Sequence, residues 1–328
     1  MKRTREEYGG FLPLELAQGR EYYDYLKGKL SRFNCAKAAI SFILDRLHCE
    51  LIYLPYYLCP NVCHEIEYHG IEVRYYYIDD MLLPLDIRDE KETCVYLVNY
   101  FGIMDKRFLE QVEKFENATV IIDNSHSFFC TPVLRKGVYN IYSCKKFFGV
   151  PDGAYLIAEQ MINEFVEEKK VFSSEHALYL LDNLERGTNY CYQEKKETDK
   201  WLAENYGTIS ILGQKLLESI DYENVKQRRY ENFLLYHENF KEINYIQCED
   251  KSVPYIYPLN VGKNIKEELV AEKIYVPTLW SQLLQKQFYG SREYHLSNET
   301  IFLPLDQRYN NADIGFIIEI VRGILQNG

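Results

Sequence analysis

The chain has 328 residues, 47% of them hydrophobic, with 38 basic against 49 acidic residues and a net charge of −11. At about 100–200 residues per domain, that length and apolar content allow one large core with a smaller second unit. The acidic balance repels nucleic-acid phosphates, and the longest apolar runs, such as Leu51 to Leu58, fall far short of the ~20 residues that span a bilayer.

In chain order, the charged start Met1-Lys2-Arg3-Thr4-Arg5-Glu6-Glu7 has no apolar segment behind it, so no secretory signal is expected. Residues 20–32 and 36–48 read as helices broken at Phe33-Asn34-Cys35. Strands are predicted at Leu51–Pro55, Val73–Ile78, Cys94–Asn99, Thr119–Asp123, Tyr139–Ser143 and Ala154–Ala158. Helices are predicted between them at Asn61–His69 and Lys106–Glu116. This alternation predicts a mainly parallel sheet of about seven strands covered on both faces, with ligands met at the carboxyl ends of the strands. From Met161 to Phe240 the pattern is helical. Pro254–Asn260 then opens a smaller α+β segment with a helix at Ile265–Lys273, a strand at Ile301–Leu303 and a last helix at Ala312–Leu325. The division is placed between residues 1–225, a large α/β domain, and 226–328, a small C-terminal α+β domain.

Nine scattered cysteines, an odd number, read as reduced thiols in a cytoplasm. The 30 tyrosines read mainly as packing, and Arg228-Arg229, set among acidic neighbours, as a solvated helix face. Cys59, Cys63 and His64 lack a fourth ligand at zinc spacing, so no metal is expected. Leu303 to Tyr309 reads as a polar, exposed turn that either caps the last helix or organises the small domain near a site.

Three segments carry possible chemistry. In Ser143-Cys144-Lys145-Lys146-Phe147-Phe148, followed by Gly149-Val150-Pro151-Asp152-Gly153, two lysines stand between a strand and an apolar pair. A desolvated lysine there has a lowered pKa and a neutral, nucleophilic amine, although adjacent loop lysines are ordinarily solvated. In Val120-Ile121-Ile122-Asp123-Asn124-Ser125-His126, an acid ends a buried strand. It needs a partner such as a pyridinium nitrogen, or it caps the next helix. In Phe33-Asn34-Cys35-Ala36-Lys37-Ala38, small residues open a helix whose N–H groups are free to approach a phosphate. Neither a Gly-x-Gly-x-x-Gly nor a Walker A pattern occurs.

Together and in this order, these segments resemble the DegT/DnrJ/EryC1/StrS family of sugar aminotransferases. Cys35-Ala36-Lys37 stands in the place of the family's Ser-Gly-Thr helix start, and Leu54-Pro55-Tyr56-Tyr57-Leu58-Cys59-Pro60 in that of its Pro-Ser-Tyr-Thr. Asn99-Tyr100-Phe101-Gly102 stands for Leu-Tyr-Gly, Ile122 to His126 for Glu-Asp-Ala-Ala-Gln, and Ser143 to Ala154 for the Ser…Lys loop with its Gly-Glu-Gly-Gly. The match is clear over about residues 30–160 and looser beyond.

The resemblance implies the pyridoxal 5'-phosphate (PLP) transferase fold of type I and a homodimer with sites at its interface. It implies a reaction moving an amino group from glutamate or another amino acid to a nucleotide-linked keto-sugar. Lys146 would carry PLP as a Schiff base, with Lys145 the alternative, and Asp123 would hold the pyridine nitrogen. His126 would donate to the phenolic oxygen, while Ser143 and the backbone at Cys35, Ala36 and Lys37 would bind phosphate. Because Cys59 replaces the stacking aromatic, Tyr100 would cover the ring. Asn189, in Gly187-Thr188-Asn189-Tyr190, faintly echoes a loop that reaches the neighbouring subunit's phosphate. Alternatives are another PLP reaction, such as dehydration, and a binding protein that has lost catalysis.

Overall fold

The computed structural model describes residues 9–160, 170–251 and 253–327. The start Met1 to Glu7, and Met161 to Lys169 of the expected helical stretch, lie outside them.

Nine strands are described: β1 (Leu30–Phe33), β2 (Leu51–Pro55), β3 (Glu72–Tyr76), β4 (Thr93–Val98), β5 (Thr119–Asp123), β6 (Val138–Ser143), β7 (Ala154–Ala158), β8 (Tyr257–Asn260) and β9 (Thr300–Leu303). The first seven form one sheet in the order β1-β7-β6-β5-β4-β2-β3. β7 runs antiparallel to both β6 and β1, and the remaining pairs are parallel. β4 and β7 are buried at every residue, as strands covered on both faces must be.

The helices are α1 (Ala36–Leu44), α2 (Pro60–Tyr68), α3 (Asp105–Val112), α4 (Leu178–Arg186), α5 (Tyr192–Glu204), α6 (Ile211–Glu218), α7 (Tyr222–Phe240), α8 (Lys266–Ala271), α9 (Arg292–Glu299) and α10 (Asn311–Asn327). β8 and β9 form an antiparallel pair whose core, from Phe233 and Tyr236 to Ile314 and Val321, is distinct from the core of the large sheet. None of the described helices is long and apolar enough to cross a membrane.

Two expectations are corrected. Residues 20–32 are not a helix but turns leading into β1, and the helix expected over 36–48 ends at Leu44. Tyr23, Leu26 and Leu30 imitate helical spacing, but Gly28 takes φ +78, a left-handed conformation that breaks a helix. The segment is held by side chains instead: the Tyr23 hydroxyl donates to the Phe128 and Cys130 carbonyls at 2.6 and 2.8 Å, and Arg32 pairs with Glu21 at 2.5 Å.

Topology sets the site. β1, β6, β5 and β4 all point the same way, so their carboxyl ends gather the start of α1, Ser143 to Lys146, Asp123 and the Asn99 to Gly102 turn along one edge. Gly153 joins two of these, its N–H donating to the Asn34 carbonyl at 2.8 Å and its carbonyl accepting from Cys144 N–H at 3.0 Å.

Candidate functional site

The turn after β4 explains its own sequence. Phe101 and Gly102 both have left-handed φ (61 and 73), and a Cβ on Gly102 would stand 2.7 Å from the His126 carbonyl oxygen. Only glycine lets the chain pass so close to the Asp123–His126 loop. The Phe101 carbonyl then accepts from Tyr255 N–H at 2.9 Å, which fastens the C-terminal part of the chain to this edge.

Asp123 ends β5 and is buried. One carboxylate oxygen accepts from the Tyr96 hydroxyl at 2.9 Å and the other from Ser125 N–H at 2.8 Å. Burial, with the Asp123 charge second, pushes the Tyr96 phenol well up, so it stays a donor. Each Asp123 oxygen keeps acceptor capacity.

His126 is buried in a set of near-parallel rings, with Tyr255 at 5.0 Å, Phe101 at 5.7 Å and Trp280 at 5.9 Å. Its Nδ1 is buried without a hydrogen-bond partner. Burial, reinforced by the Lys146 charge, holds the imidazole well below its usual range, so it is neutral.

The two lysines part company. Lys145 pairs with Asp199 of α5 at 2.9 Å, and burial lowers its amine against that carboxylate's opposing pull. Lys146 is open to solvent, with Nζ 5.3 Å from the centre of the Tyr255 ring. Its amine titrates above the ordinary lysine range, chiefly through its electrostatic interaction with Tyr255, with Cys59, Asp199 and Asp123 adding to it. The lowering expected for a desolvated lysine therefore occurs at Lys145 and is reversed at Lys146.

The start of α1 is built differently. Cys35 makes no side-chain cap, its thiol lies 3.6 Å from the Leu202 carbonyl, and burial pushes it up to about 11. Ala36 and Lys37 begin the helix, but the Lys37 ammonium turns to Glu65 at 3.3 Å and to the Ala203 carbonyl at 3.5 Å. Ser143 makes no cap to the 3-10 turn that follows it. Tyr100 is fully buried, its hydroxyl donating to the Tyr57 carbonyl at 2.7 Å, and its ring packs on Tyr57 and Trp280. Asn189 is exposed and donates to the Tyr275 hydroxyl at 2.8 Å, away from the strand-end edge in sequence and in this bond. Among the described residues, no cluster suited to a metal occurs.

Three contributors escaped sequence reasoning. Tyr255 and Trp280 come from loops without a pattern, Trp280 in left-handed conformation at φ 55. Arg229, read as solvated, is 1% exposed. Its guanidinium donates to the carbonyls of Pro254 and Tyr255 at 3.1 Å and Phe147 at 3.3 Å, and to Gln307 Oε1 at 3.0 Å. Gln307 itself donates to the Phe147 carbonyl at 2.9 Å, so the Leu303–Tyr309 turn, expected to be exposed, organises the lysine loop, and Leu305 within it is buried. The signal was there: Tyr222, Val225, Arg229, Asn232, Phe233 and Tyr236 share one face of α7.

The residues fit pyridoxal phosphate at its ring end. An orphaned buried imidazole nitrogen, a carboxylate with spare acceptor capacity and an open amine lie on one edge.

No protein-family model matches the sequence, and no curated protein matches it. The fold, by contrast, is shared with solved structures. Helicobacter pylori PseC, an aminotransferase involved in the biosynthesis of pseudoaminic acid, superposes with a TM-score of 0.64 at 15% identity over 93% of this chain and 89% of that one. The sugar aminotransferase CalS13 from Micromonospora echinospora gives 0.63 at 12% identity, over 92% and 89%. A DegT DnrJ EryC1 StrS aminotransferase from Brucella abortus gives 0.60 at 15% identity, over 92% and 87%. The chain has the α/β fold of these type I aminotransferases, in the strand arrangement described above.

Proposed function

We propose that this protein is a PLP-dependent aminotransferase acting on a nucleotide-linked keto-sugar, with an amino acid as nitrogen donor. One observation carries the reading: Lys146 alone of the two adjacent lysines is open, on the strand-end edge that holds Asp123 and set over the Tyr255 ring that also stacks on His126, while Lys145 is held by Asp199. When bound, pyridoxal phosphate supplies an electron sink for the carbon bearing the amino group.

In this reading the Lys146 Nζ holds the cofactor and then moves a proton, as base and as acid. Asp123 keeps a proton on the pyridine nitrogen, with Tyr96 and Ser125 fixing its orientation. His126 meets the phenolic oxygen through its ring N–H, and its neutrality suits a donor beside a cation. The backbone at Cys35, Ala36 and Lys37 meets the phosphate, helped by the α1 dipole and the Ser143 hydroxyl. Tyr100 would cover the cofactor's ring, and Asn189 would reach towards a partner's site.

The same reading includes a homodimer, supported by the uncovered Leu178, Leu181 and Leu184 of α4. It includes a division near residue 225 into large and small domains, supported by their separate cores, and a cytoplasmic location without nucleic-acid or membrane partners. The test is borohydride reduction of the PLP-treated protein with peptide mapping, followed by a screen of nucleotide keto-sugars with amino-acid donors. Label on Lys146 and transfer to one keto-sugar are expected. Label elsewhere, or no transfer from any donor, would sink the reading.

A further inference from the structure

Arg229 stands on the buried face of α7, and its hydrogen bonds among the described residues end on neutral oxygens. Nε donates to Gln307 Oε1 at 3.0 Å, Nη1 to the Pro254 and Tyr255 carbonyls at 3.1 Å, and Nη2 to the Phe147 carbonyl at 3.3 Å. Asp306, which acts on it through charge, is itself paired with Arg308 at 2.7 Å. A buried cation without a bonded carboxylate is costly, and burial pushes this guanidinium down to about 10. An apolar residue would fill this place on the helix at less cost. What distinguishes arginine here is its planar fork of donors.

We propose that Arg229, with Gln307, is a positioning residue for Lys146, fixing both the peptide carbonyl that follows the lysine and the tyrosine ring that faces its amine. The Phe147 carbonyl receives Arg229 Nη2 and, at 2.9 Å, Gln307 Nε2, which together occupy both its lone pairs. The guanidinium also lies 4.5 Å from the centre of the Phe147 ring. Tyr255 is held at both ends of its backbone: Arg229 takes its carbonyl, and its N–H donates to the Phe101 carbonyl at 2.9 Å. The Tyr255 ring stands 5.3 Å from Lys146 Nζ and 5.0 Å from the His126 ring. One long helix thus sets the spacing of amine, phenol and imidazole, which come from three separate segments.

The segments Arg229 joins have no strand of their own to hold them. Phe147 follows a 3-10 turn, Pro254 and Tyr255 lie in a loop, and Gln307 lies in the turn between β9 and α10. Side-chain bonds therefore do the joining, and their accuracy matters, because misplacing a reacting group by about 1 Å costs up to roughly 10²-fold in rate. The inference rests on the aminotransferase reading only in naming Lys146 as the lysine that holds the cofactor. The placement of its amine belongs to the chain alone.

The test uses the intact protein without PLP: brief acetylation with acetic anhydride and peptide mass spectrometry, scoring Lys146 and Lys145 against the exposed Lys91. In wild type the contact with Tyr255 raises the Lys146 amine, which slows its acetylation. Arg229→Lys keeps the buried charge and removes the fork. Gln307→Ala, at a half-buried place, removes one donor to Phe147 and serves where Arg229→Lys does not fold. Each is expected to speed acetylation of Lys146 roughly two- to tenfold, the equivalent of one net hydrogen bond, with Lys145 unchanged in its pairing with Asp199. Urea unfolding of each variant is measured beside it. Lys145 and Lys146 rising together, in step with lost stability, would mark a purely structural residue and overturn the proposal. So would an unchanged Lys146 in every variant that folds. Borohydride label absent from wild-type Lys146 would overturn the aminotransferase reading instead, and the acetylation comparison, needing no cofactor, still decides the positioning.

Discussion

The two ends of the proposed cofactor site are made by different means. The ring end is assembled from strand termini: Asp123 already has two donors, His126 is fixed among parallel rings, and Arg229 pins the carbonyls of Phe147 and Tyr255. The phosphate end is a helix start without a side-chain cap, overlain by the Leu202 and Ala203 carbonyls of α5, with Lys37 drawn off to Glu65. Side chains held by a rigid sheet give directional recognition at the ring end. At the phosphate end, what remains is backbone and dipole, which tolerate wide change in side chain.

The sharpest way to break this comparison is at the ring end. Lys146→Ala should abolish borohydride labelling and lower turnover by roughly 10²–10⁴-fold or more, the range of a positioned acid–base group. Lys145→Ala should retain the label, since its amine serves Asp199. If both variants kept the label, neither lysine would hold the cofactor.

Asp123→Asn comes next. It keeps the shape and the Tyr96 contact but removes the charge opposite the pyridine nitrogen. A charge-assisted hydrogen bond contributes about 1.5–3 kcal/mol, so PLP affinity should fall roughly 10- to 150-fold in equilibrium dialysis. By contrast, Lys37→Ala should change PLP affinity little, because the ammonium is paired with Glu65. An equal loss in both variants would erase the distinction between the two ends.

That distinction also marks what the sequence made legible. Leu51–Pro55, Thr119–Asp123 and Ala154–Ala158 are observed at their expected bounds, because apolar runs of β-formers ending in turn residues have few other conformations open to them. Asp123 ends one of those strands, whereas Lys146 is named only by the family resemblance. Residues 20–32 were illegible because their structure rests on long-range bonds, Tyr23 to Phe128 and Arg32 to Glu21, that no local period encodes. Arg229 was hidden for a related reason. Its charge suggests solvent, while its place on the buried face of α7 is a matter of phase and its partners are backbone carbonyls from distant loops. The residues alone do not separate Lys146 from Lys145, and the pairing of Lys145 with Asp199 joins positions more than fifty residues apart in the chain.

Two glycines offer a matched test of how tightly the ring end is built. Gly102 and Gly137 both have positive φ, 73 and 79, but a Cβ at Gly137 meets nothing within 4 Å. Gly137→Ala should cost only the left-handed conformation, about 1–2 kcal/mol. Gly102→Ala adds a clash with the His126 carbonyl and should cost about 1–3 kcal/mol more in urea denaturation, with weakened PLP binding. Equal losses would mean that the Tyr100–Gly102 turn yields freely and does not brace His126.

The smallest effect expected is a pH dependence from His126. Its folded-state pKa lies well below the unfolded value near 6.5, chiefly through burial. The unfolded chain therefore binds a proton that the folded one does not, and stability is lost as pH falls below about 6.5, by at most about 1.4 kcal/mol per pH unit for one group. His237, also held down by burial, and the carboxylates contribute to the same acid limb, so the informative quantity is a difference. His126→Gln removes the titrating group while keeping a planar donor among Phe101, Tyr255 and Trp280. Urea unfolding of both proteins at pH 7.5 and 5.5 should show the wild type losing up to about 1.4 kcal/mol more than the variant over that interval. His126→Gln should also leave the visible absorbance of the PLP-treated protein nearly unchanged, whereas His126→Leu, lacking any donor, should raise the pH at which the band titrates. Parallel stability losses, together with three superimposable titrations, would show that His126 is neither proton-poor in the fold nor in contact with the cofactor.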